Sequence, residues 1–440
     1  MTKPIKTGRI IDRFRESWLT LTDVRKGNNS QKYTMTDGAL AAFSVFFTQS
    51  PSFLSFQRDM EQKKRRSNAQ TLFKVTRIPS NQQIRNLLDP VSPAEIHADY
   101  WWLLDQLATA GHLESYQCFQ ETRLIAMDGV VYHSSTQIHC ECCQQRRDSL
   151  GTVHYYHSAI APVFVKPGCP HVLSLPPECI VPQDGHEKQD CERTATKRWL
   201  EQHSARFAPY SITYLGDDLY ANQPLCELIA HTHQQYFVFV CKPDSHLTLY
   251  QEVALLEKVG GVTTHQVRHW NGRHHEVWTY RLANQLPLRA DSAAFSVNWC
   301  ELRITHAETG DDIYHNAWVT NHSISGANVA AVARVGRTRW KVENENINVL
   351  KNQGYHLAHN FGHGEAHLAN TLFTLNLLAF LVHTILHLAN HEYRLLRETL
   401  AVRRTFFHDL KALTRYMVFN SWQHLFDFMI DGLEIQHSPP

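Results

Sequence analysis

Between residues 123 and 241 the chain alternates short β-branched and aromatic runs with helix-length amphipathic stretches, which restricts the fold to helices layered on a sheet. Arg123-Leu124-Ile125-Ala126-Met127, Val153 to Val165 and His171 to Ile180 read as three strands. Asp184 to His203 reads as a helix, because Cys191, Ala195 and Trp199 recur at four-residue spacing with charges between them. A strand at Ser211 to Gly216, a helix from about Asn222 with Pro224 in its first turn, and a strand at Tyr236 to Cys241 complete a β-β-β-α-β-α-β order. A last strand at Trp318-Val319-Thr320 is followed by Asn321, His322 and Ser323, then by helix to Gln353, with Gly354 where a C-terminal glycine belongs.

One segment breaks this order. Between Lys242 and about Asp312, His265 to Leu282 and Val297 to Thr305 alternate like antiparallel strands, with Asn271-Gly272 as a hairpin turn, so an inserted β subdomain is expected there. Before residue 120 the chain reads as helical, with apolar stretches at Gly38 to Phe47 and Tyr100 to Ala110 and punctuation at Pro79, Pro90 and Pro93. From about Gly364 it is helical again. The expected divisions are 1–120, 121–241, 242–312, 313–363 and 364–440. Ala366 to Asn390 is uncharged and long enough to span a bilayer, but His367, Asn370, Asn376, His383 and His387 interrupt it, so it is expected as a buried core helix. The start, Met1-Thr2-Lys3-Pro4-Ile5-Lys6, has no apolar leader, and a cytoplasmic protein without membrane attachment is the expectation.

Charge excludes little, since 43 Lys and Arg meet 42 Asp and Glu, and any polyanion contact must rest on local clusters. One such cluster is Lys63-Lys64-Arg65-Arg66, either a solvated helix face or a phosphate contact. Three of the ten cysteines crowd into His139-Cys140-Glu141-Cys142-Cys143, a spacing suited to metal rather than to disulfides. Cys140 and Cys143 with His154 or His157 would make a tetrahedral zinc site; strand alternation points these two histidines to opposite sides, so one of them reaches. Reduced cysteines packed in the hairpin are the alternative. Cys169 and His171 lie further out as candidates.

Two acids sit where apolar runs end: Asp128 after Met127, and Asp217 after Ile212-Thr213-Tyr214-Leu215-Gly216. If those strands are neighbours, the carboxylates face each other and suit a hard divalent cation; the alternative is ordinary turn residues. A third acid, Glu343, shares a helical face with Trp340, Ile347 and Leu350, whereas Glu345 lies about 200° away. Glu343 is therefore expected on the apolar seam, where it needs a metal or a partner such as Arg339 one turn earlier.

Ala126-Met127-Asp128-Gly129, Tyr214-Leu215-Gly216-Asp217-Asp218-Leu219-Tyr220 and Arg339-Trp340-Lys341-Val342-Glu343 together resemble the three acidic blocks of DDE transposases of bacterial insertion sequences. The resemblance is to the subgroup with a β insertion before the last block. Gln183-Asp184-Gly185 with Lys188-Gln189-Asp190-Cys191-Glu192, and Lys351-Asn352-Gln353-Gly354-Tyr355 leading into His359-Asn360-Phe361-Gly362-His363-Gly364, are similar to one branch of these enzymes.

It implies an α/β, ribonuclease H-like mixed sheet flanked by helices, with the first and fourth strands carrying the Asp residues and a late helix carrying the Glu. Asp128, Asp217 and Glu343 would then hold two Mg²⁺ or Mn²⁺ ions, with Asp218 the competing assignment for the second acid. Arg337, Arg339, Lys351 and the run Lys63, Lys64, Arg65 and Arg66 would contact DNA. The subgroup's signature asks for Tyr where this chain has Gly336, and Lys351 comes one residue late. His356, His359, His363 and His367 would sit on a loop near the acids, contacting phosphate or packing. The implied activity is metal-dependent cleavage and strand transfer on double-stranded DNA, by a homodimer on two transposon ends in the bacterial nucleoid. The other classes are a catalytically inactive DNA-binding descendant and a zinc-dependent hydrolase built on the Cys/His cluster.

Overall fold

A computed structural model describes residues 5–26, 32–60, 67–185 and 188–435. The chain forms a mixed α/β architecture on two sheets. The strands are β1 (Arg123–Ala126), β2 (Gly129–Ser135), β3 (Gln144–Arg147), β4 (Val153–Ile160), β5 (Val163–Val165), β6 (Leu173–Ser174), β7 (Glu178–Ile180), β8 (Ile212–Gly216), β9 (Tyr236–Val240), β10 (Thr263–Trp270), β11 (His275–Pro287), β12 (Ser296–His306) and β13 (Asp312–Thr320). Nine of them build the central sheet in the order β10-β11-β12-β13-β9-β8-β1-β5-β6, and β2, β3, β4 and β7 form a separate antiparallel sheet.

Every residue of β1 and of β8 is buried, as expected for strands covered on both faces. The two run parallel, with Ala126 opposite Leu215, and β8 runs parallel to β9. On the other side β5 is antiparallel to β1 and β6 to β5. Taken in chain order, the strands of the central sheet begin β1, β5, β6, β8, so β1 is the first and β8 the fourth, and the two are neighbours in the sheet.

Four local expectations need correction. Val153 to Val165 is two strands, because Ala161-Pro162 carries the chain from the small sheet into the central one, and proline has no N–H to keep a ladder going. His171 to Ile180 is likewise divided, by Leu175-Pro176-Pro177. The strand expected to end at Asp128-Gly129 is followed at once by another, since Gly129 begins β2. The antiparallel strands of the 242–312 segment are present with a helix at Leu247–Lys258, but they are continuous with the central sheet: β13 reaches into the core and pairs Trp318 with Val240 of β9.

The Leu368–Ala389 helix is long and apolar enough to cross a membrane, and all its residues from Leu368 to Leu386 are buried within the fold. It is enclosed by the Met35–Phe47, His97–Thr109 and His391–Thr399 helices and by β6. Its polar residues have internal partners, as buried polar groups require: the Tyr100 hydroxyl donates to the Thr374 carbonyl at 2.6 Å and the Asn376 amide to the Tyr355 carbonyl at 2.9 Å. The N- and C-terminal helical regions also interlock, the Asn68 amide donating to the Thr414 carbonyl at 2.7 Å and the Trp422 indole to the Leu72 carbonyl at 2.8 Å.

Candidate active site and metal centre

Asp128 lies at the seam between the two sheets. It follows β1, its carbonyl accepts from the Ala161 amide at 3.0 Å, and β2 leaves from the next residue. The parallel register that sets Ala126 beside Leu215 carries Asp217 to the neighbouring strand end. Both acids also behave as turn residues: Asp128 accepts from the Gly129 amide at 2.9 Å and Asp217 from the Leu219 amide at 3.0 Å. Asp218 turns away, accepting from the Lys242 amide at 2.6 Å and the Ser245 hydroxyl at 2.5 Å.

Arg339 joins the acids. Its guanidinium donates to Asp128 Oδ2 at 3.2 Å and to Glu343 Oε1 at 3.0 Å. Burial pushes the Asp128 carboxyl up to about 7; Arg339 offsets part of this, while the Asp217 and Glu343 carboxylates add to the rise. Burial raises Asp217 as well, against the Leu219 amide and the Arg339 charge. Burial works against the Arg339 charge, yet Asp128, Glu343 and Asp217 hold its proton more tightly than usual. The edge thus concentrates more negative charge than one cation neutralises.

Glu343 is not on the apolar seam. Val342, Asn346 and Ile347 are buried while the Glu343 side chain is 52% exposed, because Val342–Ile347 is a π-helical segment. Five-residue hydrogen bonding shifts each side chain backward around the axis, so the 3.6-residue face read from sequence does not apply. Trp340, expected on the same buried face, is exposed. Glu345 lies 4.0 Å from Lys341.

Other expected residues scatter. Arg337 lies over the rings of Trp278 and Tyr314, 5.3 and 4.7 Å from their centroids, and with Asp217, Lys242, Arg339 and Trp340 lines a cavity of about 580 Å³. Lys351 opens into a different cavity of about 320 Å³, with Tyr132, His133 and His359 and none of the three acids. Lys63, Lys64, Arg65 and Arg66 lie outside the described residues. At Gly336 a Cβ would meet the buried Trp318 indole at 2.4 to 2.7 Å, so the tyrosine of the subgroup's signature has no room there.

The Cys/His cluster converges with a different membership. Cys140 and Cys143 precede β3, His157 is on β4, and His363 comes from the segment before the Leu368–Ala389 helix; their ligand atoms all lie within 4.8 Å of one another. Among the described residues this is the group that could hold a metal ion such as zinc. His154 is not part of it: its Nε2 lies 2.9 Å from Asp148 Oδ2. Of the two strand histidines, His157 alone reaches the cluster, as strand alternation requires. Burial, with His363 and His133 alongside, brings His157 down to about 3, leaving it neutral as a ligand must be. His363 was expected on a loop near the acids, contacting phosphate or packing, and no local pattern links it to Cys143, 220 residues earlier.

Sequence reasoning also gave no structural role to Glu192. Its carboxyl packs against Gly129, where a Cβ would approach it to 2.7 Å, so the glycine after Asp128 makes room for a buried acid beside the edge. No family model matches the chain, and no curated protein matches it significantly.

Proposed function

We propose that the protein is a DDE-type transposase that cleaves and joins DNA strands at the edge formed by Asp128, Asp217 and Glu343. The observation that carries this reading is the meeting of two acids at adjacent parallel strand ends with a third from a late helix, Arg339 bridging Asp128 and Glu343 and its charge acting on Asp217. The donor set is all oxygen and its negative charge exceeds what Arg339 balances, which fits hard divalent cations. Asp128, Asp217 and Glu343 would hold them. A pair of Mg²⁺ or Mn²⁺ ions, when bound, supplies activation of the attacking oxygen and stabilisation of the leaving one. Arg339 keeps Asp128 and Glu343 at a fixed spacing and offers its charge to a phosphate as the acids take up cations. Arg337 and Lys242, on the same cavity as Asp217, favour a polyanion there. The partners on this reading are double-stranded DNA, as element ends and target, and a second copy of the chain across two ends.

The Cys/His cluster takes a structural part. Four protein donors fill a tetrahedron and leave no position for a reacting water, which counts against a zinc hydrolase. The test is cleavage of a labelled duplex carrying the element's terminal sequence with Mg²⁺, Mn²⁺ or EDTA, comparing the native chain with Glu343→Gln. Metal-dependent nicking that the variant loses while a gel shift persists is the expected result. Binding without cleavage under every metal condition would favour a DNA-binding descendant instead.

A further inference from the structure

We infer that Cys140 Sγ, Cys143 Sγ, His157 Nε2 and His363 Nε2 bind one Zn²⁺, and that the ion clamps the segment 353–367 onto the small sheet. Ligand distances of about 2.3 Å to sulfur and about 2.05 Å to nitrogen give a regular tetrahedron edges of about 3.8 Å for S···S, 3.6 Å for S···N and 3.3 Å for N···N. The corresponding separations here are 3.9 Å for the two sulfurs and 3.1 Å for the two nitrogens. The mixed pairs are 3.6 Å for Cys140 to His157, 3.4 Å for Cys143 to His157 and 3.2 Å for Cys143 to His363. Five of the six edges thus match a zinc tetrahedron to within a few tenths of an ångström, and the sixth, Cys140 Sγ to His363 Nε2, is within 4.8 Å.

The protons agree. His363 Nδ1 donates to the Gly364 carbonyl at 2.6 Å, which commits the ring proton to that nitrogen and presents the Nε2 lone pair to the cluster. His157 Nε2 faces that lone pair and both sulfurs, and a single N–H cannot serve three neighbours. One cation at the common centre satisfies all four donors. Mixed sulfur and nitrogen donors in tetrahedral array favour zinc over the hard ions suited to the acidic edge. On binding, the two thiols release two protons to solvent and the thiolates neutralise the ion.

The clamp follows from where the ligands lie. His157 and His363 are 206 residues apart, so the ion joins β4 to the approach of the Leu368–Ala389 helix. Further anchors tie the segment to the helices: the Arg85 guanidinium donates to the Phe361 carbonyl at 2.9 Å, Asp89 accepts from the Glu365 amide, and the Asn376 amide of the core helix donates to the Tyr355 carbonyl at 2.9 Å, while on the small-sheet side the His133 ring lies 4.7 Å from that of His363. Zinc would add a link between the small sheet and the segment beside the cavity lined by Tyr132, His133, Lys351 and His359. The inference rests on the cluster alone and stands whether or not the acids cut DNA.

The test uses the full chain. Elemental analysis should give one zinc per chain, and Co²⁺ exchange should give the intense visible bands of a tetrahedral thiolate site. Cys143→Ser and His363→Ala should each weaken binding by more than the about 10- to 100-fold lost when only a hydrogen-bond partner of a ligand is removed, while His154→Ala leaves it unchanged. Should the variants fail to fold, the native chain still decides: chelation should expose 353–367 to limited proteolysis, and zinc should restore protection. No zinc together with no tetrahedral cobalt spectrum overturns the site; loss in His154→Ala but not in His363→Ala overturns the ligand assignment; unchanged proteolysis on chelation overturns the clamp.

Discussion

The acidic edge and the Cys/His cluster are served by one ladder and are built on opposite principles. Gly129 pairs with Ile160 beside Asp128, and further along the same pair of strands His133 sits opposite His157 in the cluster. At the first position like charges crowd around one arginine, half-open to solvent. At the second, four sulfur and nitrogen donors close on one another in a largely buried cluster. A site that keeps excess charge and open space is suited to ligands that come and go, whereas a saturated buried site is suited to permanence.

The largest effect that would break this comparison is on chemistry. Asp217→Asn is expected to lower metal-dependent strand cleavage by about 10³-fold or more, since a lost ligand forfeits several kcal/mol of transition-state stabilisation, while zinc content stays at one per chain. Equal zinc loss in this variant would show that the two sites are one system.

Next comes the support of the acidic helix. Gly336→Tyr is expected to cost about 3 kcal/mol, because the new side chain overlaps the Trp318 indole, and chemical denaturation would read it directly. A stable variant with native activity would mean that the Val329–Arg337 helix shifts freely and that Glu343 is not held in place by it.

Removing zinc should matter less in this large core, lowering the melting temperature by about 5 °C on chelation and leaving cleavage at low temperature intact. Loss of cleavage at temperatures where the chain remains folded would erase the division between a structural and a reactive site.

The smallest effect sharpens the electrostatics. Asp128 is raised on folding, so its contribution to stability is fully present below the ordinary carboxylate pKa and is lost as pH rises through about 7. Asp128→Asn keeps the group neutral throughout. It should match the native chain near pH 4 and exceed it by about 1 kcal/mol at pH 8 without divalent metal, the figure being reduced for partial exposure and the Arg339 charge. A variant less stable at pH 8 would show that the ion pair with Arg339 outweighs crowding.

The elements that periodicity describes were legible: β1, β8 and β9, the Lys188–His203 helix with Cys191, Ala195 and Trp199 buried, and the core helix at Leu368–Ala389. Asp128 and Asp217 were legible for the same reason, since the end of a buried apolar run is where a side chain first reaches solvent. The face of Glu343 was not, because the π-helical turn changes the angle between Glu343 and the buried Ile347 and Leu350 and leaves no mark in the hydrophobic pattern. The split of Val153 to Val165 between two sheets was missed although Pro162 signals it, because composition is β-like on both sides.

What the sequence determined by itself is therefore local: which segments are strand or helix, which acids end strands, and that Cys140 and Cys143 stand at metal-ligand spacing. Only the tertiary structure decided the partners: Arg339 between Asp128 and Glu343, Trp318 against Gly336, and His363 beside His157. The reason is physical. Periodicity and turn chemistry act over a few residues and leave a trace in order, whereas a contact across 206 residues is fixed by the packing of whole layers and leaves none.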